Sequence, residues 1–131
     1  MGVELVWEGR GLYKKFTGTV TSADLVRTKE RSLGDERFDR ILFTLCDFSG
    51  VEKFDHEKAD LDLLCALDRS TFSYHPHLHI ATVVEDERMA SVLRSLGESG
   101  ISPYPRGVFR SLSDAGNWIA NGLRTLGYSG D

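Results

Sequence analysis

The chain has 131 residues, 40% of them hydrophobic and 27% charged, with a formal net charge of −4. That length suits one domain, residues 1–131 with a core over about 3–126, and it can fold without a disulfide or metal. The acidic balance argues against a nucleic-acid binder, which needs a net basic face, and no apolar run reaches the length of a membrane span.

Val3, Leu5 and Trp7 alternate with Glu4, Val6 and Glu8, which predicts a strand with Trp7 turned inward. Gly9-Arg10-Gly11 is a turn and Leu12 to Phe16 a second strand, so the chain opens on an antiparallel hairpin. Lys14 and Lys15 are expected in solvent, and Thr17 to Val20 leads out of the hairpin. Thr21 or Ser22 caps a helix with Asp24 in its first turn, running to Leu33 and stopping at Gly34. Its apolar stripe, Leu25 and Leu33, is thin, which makes it the least anchored helix; Arg27, Lys29, Glu30 and Arg31 are expected to be solvated. Phe38 anchors the polar connection Asp35 to Arg40.

Ile41 to Cys46 is apolar on both parities apart from Thr44, the pattern of a central parallel strand covered on both faces. Asp47 to Asp55 reads as a loop. A helix from about Glu57 to Thr71 places Leu63, Leu64 and Leu67 inward, with Asp60, Asp62 and Asp68 toward its edges. Tyr74-His75-Pro76 breaks that helix, and Leu78 to Val84 is a further apolar strand. Glu85-Asp86-Glu87 opens a helix with Met89, Val92, Leu93 and Leu96 at amphipathic spacing, ended by Gly97 and Gly100.

Pro103 and Pro105 keep their surroundings extended, and Tyr104 between them is the aromatic expected at the surface. Val108 to Arg110 is a last short strand. Ser113 caps a final helix in which Ala115, Trp118, Ile119, Gly122 and Leu126 share a face, and Gly127 to Asp131 is a tail. The order β-β-α-β-α-β-α-β-α predicts a single α/β domain. Its sheet should be mixed but largely parallel, built of β-α repeats behind an N-terminal hairpin, with right-handed crossovers.

This order resembles the STAS-like proteins, which include bacterial anti-sigma-factor antagonists and the STAS domains of sulfate transporters. It is carried by an apolar strand ending in D-F-S-G-V and a leucine-bearing helix after it. The chain is similar above all to small stand-alone STAS/SEC14-like bacterial proteins, whose architecture is shared with CRAL-TRIO lipid-binding domains. The matching stretches are R-G-L-Y-K-K-F-T-G-T-V-T at 10–21, E-R-F-D-R at 36–40 and S-P-Y-P-R-G-V-F-R-S-L-S-D-A at 102–115. The likeness covers roughly residues 3–120 and speaks to fold more than function.

In the antagonists, a serine at the start of the helix after the central strand is a phosphorylation switch for partner choice. Here that place reads F-D-H-E-K, residues 54–58. Asp55 fits the pattern, but His56 and Glu57 stand where that family has serines and Lys58 where it has glycine. Ser49 lies earlier, at a structural position. Glu57 would then act as a fixed negative charge.

His75, His77 and His79 alternate and would share one face of a straight strand, but neighbours there sit about 6–7 Å apart, too far to share one tetrahedral zinc. Cys46 ends the central strand, where open sheets tend to bind ligands, yet no orienting partner marks it as a nucleophile. Cys46 and Cys65 read as small buried hydrophobes of a reducing compartment. The acidic group Glu52, Asp55, Glu57, Asp60 and Asp62 matches no calcium loop, and the phosphate-loop, dinucleotide and nucleophile-elbow motifs are missing. The N-terminus has neither a signal-peptide pattern nor a myristoylation motif.

The expectation is a cytoplasmic, non-enzymatic regulatory module without catalytic residues, metal or cofactor. It would bind an unidentified protein through Asp47, Ser49, Asp55, His56, Glu57 and Asp60. The alternative is a carrier of a lipid or other apolar ligand, in a cavity lined by Leu63, Leu67, Met89 and Leu93. Homodimerisation through the first strand, as a sheet edge, is left open.

Overall fold

The computed structural model describes residues 1–98 and 102–128. Its centre is a five-stranded sheet in the order β1-β2-β3-β4-β5, so each strand lies beside its neighbour in the chain. β1 (Gly2–Glu8) is antiparallel to β2 (Gly11–Thr21). From β2 onward, β3 (Phe43–Asp55), β4 (His79–Val83) and β5 (Arg106–Phe109) run parallel. Helix α1 (Ser22–Leu33) and a 3₁₀ helix (Glu36–Arg40) link β2 to β3, and α2 (Lys58–Phe72) links β3 to β4. Helix α3 (Glu87–Glu98) follows β4, and α4 (Leu112–Thr125) follows β5. The hairpin and the β-α repeats expected from the sequence are the observed architecture.

Local chemistry sets the boundaries. The hairpin turn is two residues, with Gly9 at φ 58° in the first central position, where a side chain would be strained. Thr21 caps α1 reciprocally. Its hydroxyl accepts from Asp24 N–H at 3.2 Å, and its own N–H donates to the Asp24 carboxylate at 2.9 Å. For α4 the cap is Ser111, not Ser113: Ser111 Oγ accepts from Asp114 N–H at 3.1 Å, and Ser113 is already inside the helix. Helix α3 runs through Gly97 to Glu98; Gly100 lies outside the described residues.

The largest departure from expectation is at β2 and β3. Residues 47–55 are strand rather than loop, and β2 continues to Thr21 to meet them, with Thr17 opposite Gly50 and Val20 opposite Phe54. Two register shifts, after Lys15 and after Gly18, break the pleat. Phe48, Val51 and Phe54 therefore follow at intervals of three, and the period of two that marks a strand is lost.

The connecting helices all lie on one face. Strands added on the same side by crossovers of one hand give that result. That face of the sheet carries Leu12, Lys14 and Phe16 from β2, Thr44, Cys46 and Phe48 from β3, and Ile80 and Thr82 from β4. Phe16 stacks on Phe48 with centroids 4.8 Å apart, and the core continues through Leu25, Leu64, Met89, Leu93 and Leu96 of the helices. Each large apolar side chain buried there contributes about 1.5–3 kcal/mol. The opposite face is covered by α4 alone, where Ala115, Ile119 and Leu123 pack on Phe43, Leu45, Ala81 and Val83.

Three aromatic and apolar expectations change. Leu63 is 44% exposed, because the buried stripe of α2 is Leu64, Cys65, Asp68 and Thr71. Leu126 is exposed beyond the end of α4, and Leu123 takes the inward place. Tyr104 is only 3% exposed, held by its hydroxyl to Thr71 at 2.8 Å and to the His75 carbonyl at 2.7 Å. Trp7 does turn inward against Leu12, Phe38 and their neighbours, half-buried, with the Arg37 guanidinium stacked 4.8 Å from its ring centre.

Candidate functional site

The start of α2 and the end of β3 form one exposed edge. Asp55, His56 and Glu57 are all exposed, and the His56 ring stacks on Phe54 at 5.8 Å. Ser22, itself buried at the start of α1, ties this edge down. Its hydroxyl donates to the Asp60 carboxylate at 2.7 Å and accepts from Glu57 N–H at 3.0 Å. Glu57 occupies the N-cap of α2, yet its side chain makes no capping hydrogen bond. Lys58 is paired with Asp62 at 2.7 Å, which raises the ammonium's pKa. Of the six residues expected on this surface, Asp55, His56, Glu57 and Asp60 come together there, while Ser49 is exposed six residues before Asp55 on β3, about 20 Å along the strand. Asp47 is not there either: it is buried and accepts from Ser49 N–H at 2.9 Å, because β3 continues through it. A groove of about 180 Å³ beside this edge is lined by Ser49, Glu52, Lys53, Glu85 and Met89 among others.

Beneath this edge the helix-covered face of the sheet holds a buried polar cluster that the sequence reading placed in solvent. Asp68 is 1% exposed rather than at an edge of α2. Its carboxylate is bonded to Lys29 of α1 and to Arg106 of β5, and Ser102 Oγ lies 3.4 Å away. Arg106 Nε donates to Ser102 at 2.9 Å, so one carboxylate joins α1, α2 and the entry to β5. Helix α1, with its thin apolar stripe, is anchored by this pair and by buried Ser22, Thr28 and Ser32. Burial pushes the Asp68 carboxyl up, but Lys29 and Arg106 outweigh it and hold it below the usual range.

Lys14 is buried as well, at 6% exposure, since it alternates with Leu12 and Phe16 on the inner face of β2. Burial lowers its pKa to about 8; repulsion from Lys29 and Arg106 adds to this, while Cys46 and Asp68 oppose it. Cys46, half-buried, is its register partner on β3, and Cys65 is buried with a thiol pKa raised by desolvation.

The expected ligand-lining set disperses. Leu93 lines a cavity of about 60 Å³ beside Lys14; Leu67 and Met89 fill the core, and Leu63 faces away. The three histidines also separate. His79 alone is in β4, where burial lowers its pKa, while His75 packs edge-on against Phe38 and His77 is exposed. Among the described residues no three metal-binding side chains converge. No helix among them is long and apolar enough to cross a membrane.

Comparison with solved structures gives the fold. The unphosphorylated form of the anti-sigma factor antagonist SpoIIAA superposes with a TM-score of 0.61 at 9% identity, over 92% of this chain and 99% of that one. The fold is STAS-like. The phosphorylated form of the Bacillus cell fate determinant SpoIIAA gives a TM-score of 0.56 at 12% identity, over 90% of this chain and 99% of that one. A DUF3478-family protein of Shewanella loihica PV-4 with a SpoIIAA-like fold gives 0.54 at 15% identity, over 90% and 92%. No family model matches the sequence, and no curated protein matches it.

Proposed function

We propose that this STAS-like protein is a regulatory module that binds another protein through Asp55, His56, Glu57 and Asp60. The observation that carries this is Glu57. Its carboxylate stands exposed at the positive end of the α2 dipole and makes no capping hydrogen bond to the helix start. A charge left unused by the fold is available to a partner. The similar SpoIIAA structures exist in unphosphorylated and phosphorylated forms. On this reading the present chain carries a permanent charge at the matching helix start and needs no kinase there. A lipid carrier in the cavity lined by Leu93 is less well supported, because the space between the sheet and α1, α2 and α3 is about 60 Å³, far below an ordinary ligand pocket.

A photo-crosslinking amino acid placed at position 56, in the protein's own cells, tests the reading against the same group at exposed position 30. Position 56 should give one discrete adduct, lost with Glu57→Lys, and position 30 none. An adduct of twice the chain's mass would make the partner a second copy. Equal labelling from both positions, or none from 56, would end the proposal.

A further inference from the structure

The cavity beside Lys14 has the composition of a ligand site. Lys14 reaches it from β2, Thr44 and Cys46 from β3 and Thr82 from β4, with Phe16 and Phe48 as apolar wall. Three cations, Lys14, Lys29 and Arg106, surround it, against one carboxylate, Asp68. Lys29 and Arg106 are both engaged by that carboxylate. Lys14, more than nine-tenths buried, has no hydrogen bond or ion pair to its Nζ among the described residues. Its Nζ is not fully enclosed, so it is solvated only by what enters the cavity, and an apolar residue at this position would need no such partner.

We propose that this cavity binds a small organic monocarboxylate, with its carboxylate on Lys14 and its short apolar part against Phe16 and Phe48. Lys14 is the one cation of the three without a carboxylate partner, and one negative charge is the least that pairs it. Thr44 and Thr82 line the same cavity and carry hydroxyls that can take the remaining oxygen contacts. The rest of the lining is mainly apolar, which suits a hydrocarbon end and not a second charged group. A space of about 60 Å³ holds a few heavy atoms, the size of a two- to four-carbon acid. Inorganic phosphate has no apolar part to set against Phe16 and Phe48. The inference goes beyond the partner-binding reading and does not depend on it.

The test is an amide-resolved NMR titration of the intact chain with sodium acetate, propionate and butyrate at constant ionic strength, and with inorganic phosphate in parallel. Saturable shifts should centre on the β2 and β3 amides flanking Lys14 and Cys46. Magnetisation should transfer from the ligand methyl to the Phe16 and Phe48 rings. Lys14→Met should weaken binding about tenfold or more, the scale of one charge-assisted hydrogen bond, while keeping the dispersed spectrum of the fold. Should Lys14→Met fail to fold, the transfer to the two phenylalanine rings in the wild type decides alone. The proposal is overturned by no saturable shift with any of the acids, by unchanged affinity in Lys14→Met, by phosphate binding more tightly than the acids, or by no transfer to those rings.

Discussion

The two faces of the sheet are built on different principles. The α4 face is mainly apolar, with Ala115, Ile119 and Leu123 on Phe43, Leu45, Ala81 and Val83, and His79 against Trp118. It is also only partly covered: a groove of about 440 Å³ lined by Tyr13, Phe43, Leu112 and Gly116 among others lies open beside the helix. The other face is covered by three helices and yet holds four charges, Lys14 and Asp68 buried and Lys29 and Arg106 partly so. Apolar contacts tolerate sliding, whereas an ion cluster between α1, α2 and β5 has one good arrangement. The comparison suggests that charge on the crowded face selects the geometry, and that oil on the open face supplies stability.

Breaking the charged face should cost most. Asp68→Ala strands Lys29 and Arg106 beside Lys14 and is expected to destabilise by about 3–5 kcal/mol in urea unfolding. The same carboxylate gives the wild type a pH signature. Its folded pKa is depressed, so its contribution is present above the ordinary carboxylate range, near pH 4, and is lost as pH falls through the lower folded value. Asp68→Ala should therefore flatten the acid limb of stability against pH. On the apolar face, Ile119→Ala should cost about 3 kcal/mol as a cavity, with the cost insensitive to pH and salt. Equal pH dependence of the two variants would dissolve the contrast.

Lys14→Met sharpens it in the other direction. Removing the unpaired cation should stabilise the protein by about 1–2 kcal/mol at pH 7. Because the folded pKa of Lys14 is lowered to about 8, the unfolded chain holds more protons between that value and the ordinary lysine range. Wild-type stability from this group rises across that window, so the advantage of Lys14→Met should shrink as pH climbs from 7 to 10. The smallest effect is expected from Tyr104→Phe, which leaves the Thr71 hydroxyl and His75 carbonyl short of one partner, about 1 kcal/mol by thermal unfolding.

Much of the fold could be read in advance where one rule acts alone. The Gly9 turn, the Thr21–Asp24 cap, the Gly34 stop and the spacing of Met89, Leu93 and Leu96 each follow from local chemistry. The continuation of β3 could not, because two register shifts erase the alternation that marks a strand. The buried cluster was half visible. Lys14 sits between Leu12 and Phe16, Lys29 lies four residues from both Leu25 and Leu33, and Asp68 lies four beyond Leu64. Each occupies an inward position by strict periodicity. A charge on an apolar parity reads as solvated until its partner is known, and here the partners of Asp68 are 38 and 39 residues away.

The strand order has a consequence for how the chain assembles. Every sheet pairing joins consecutive strands, so each new strand meets an edge already in place, and the loop it must close stays short. A chain growing from its N-terminus can add β2 to β1, β3 to β2 and β4 to β3 as each emerges. Asp68 finds Lys29 early in that sequence but waits for Arg106, which arrives with the final strand. The ion cluster is thus the clasp that closes when the sheet is complete, and a nascent or truncated chain lacking β5 would hold Asp68 with one of its two cations.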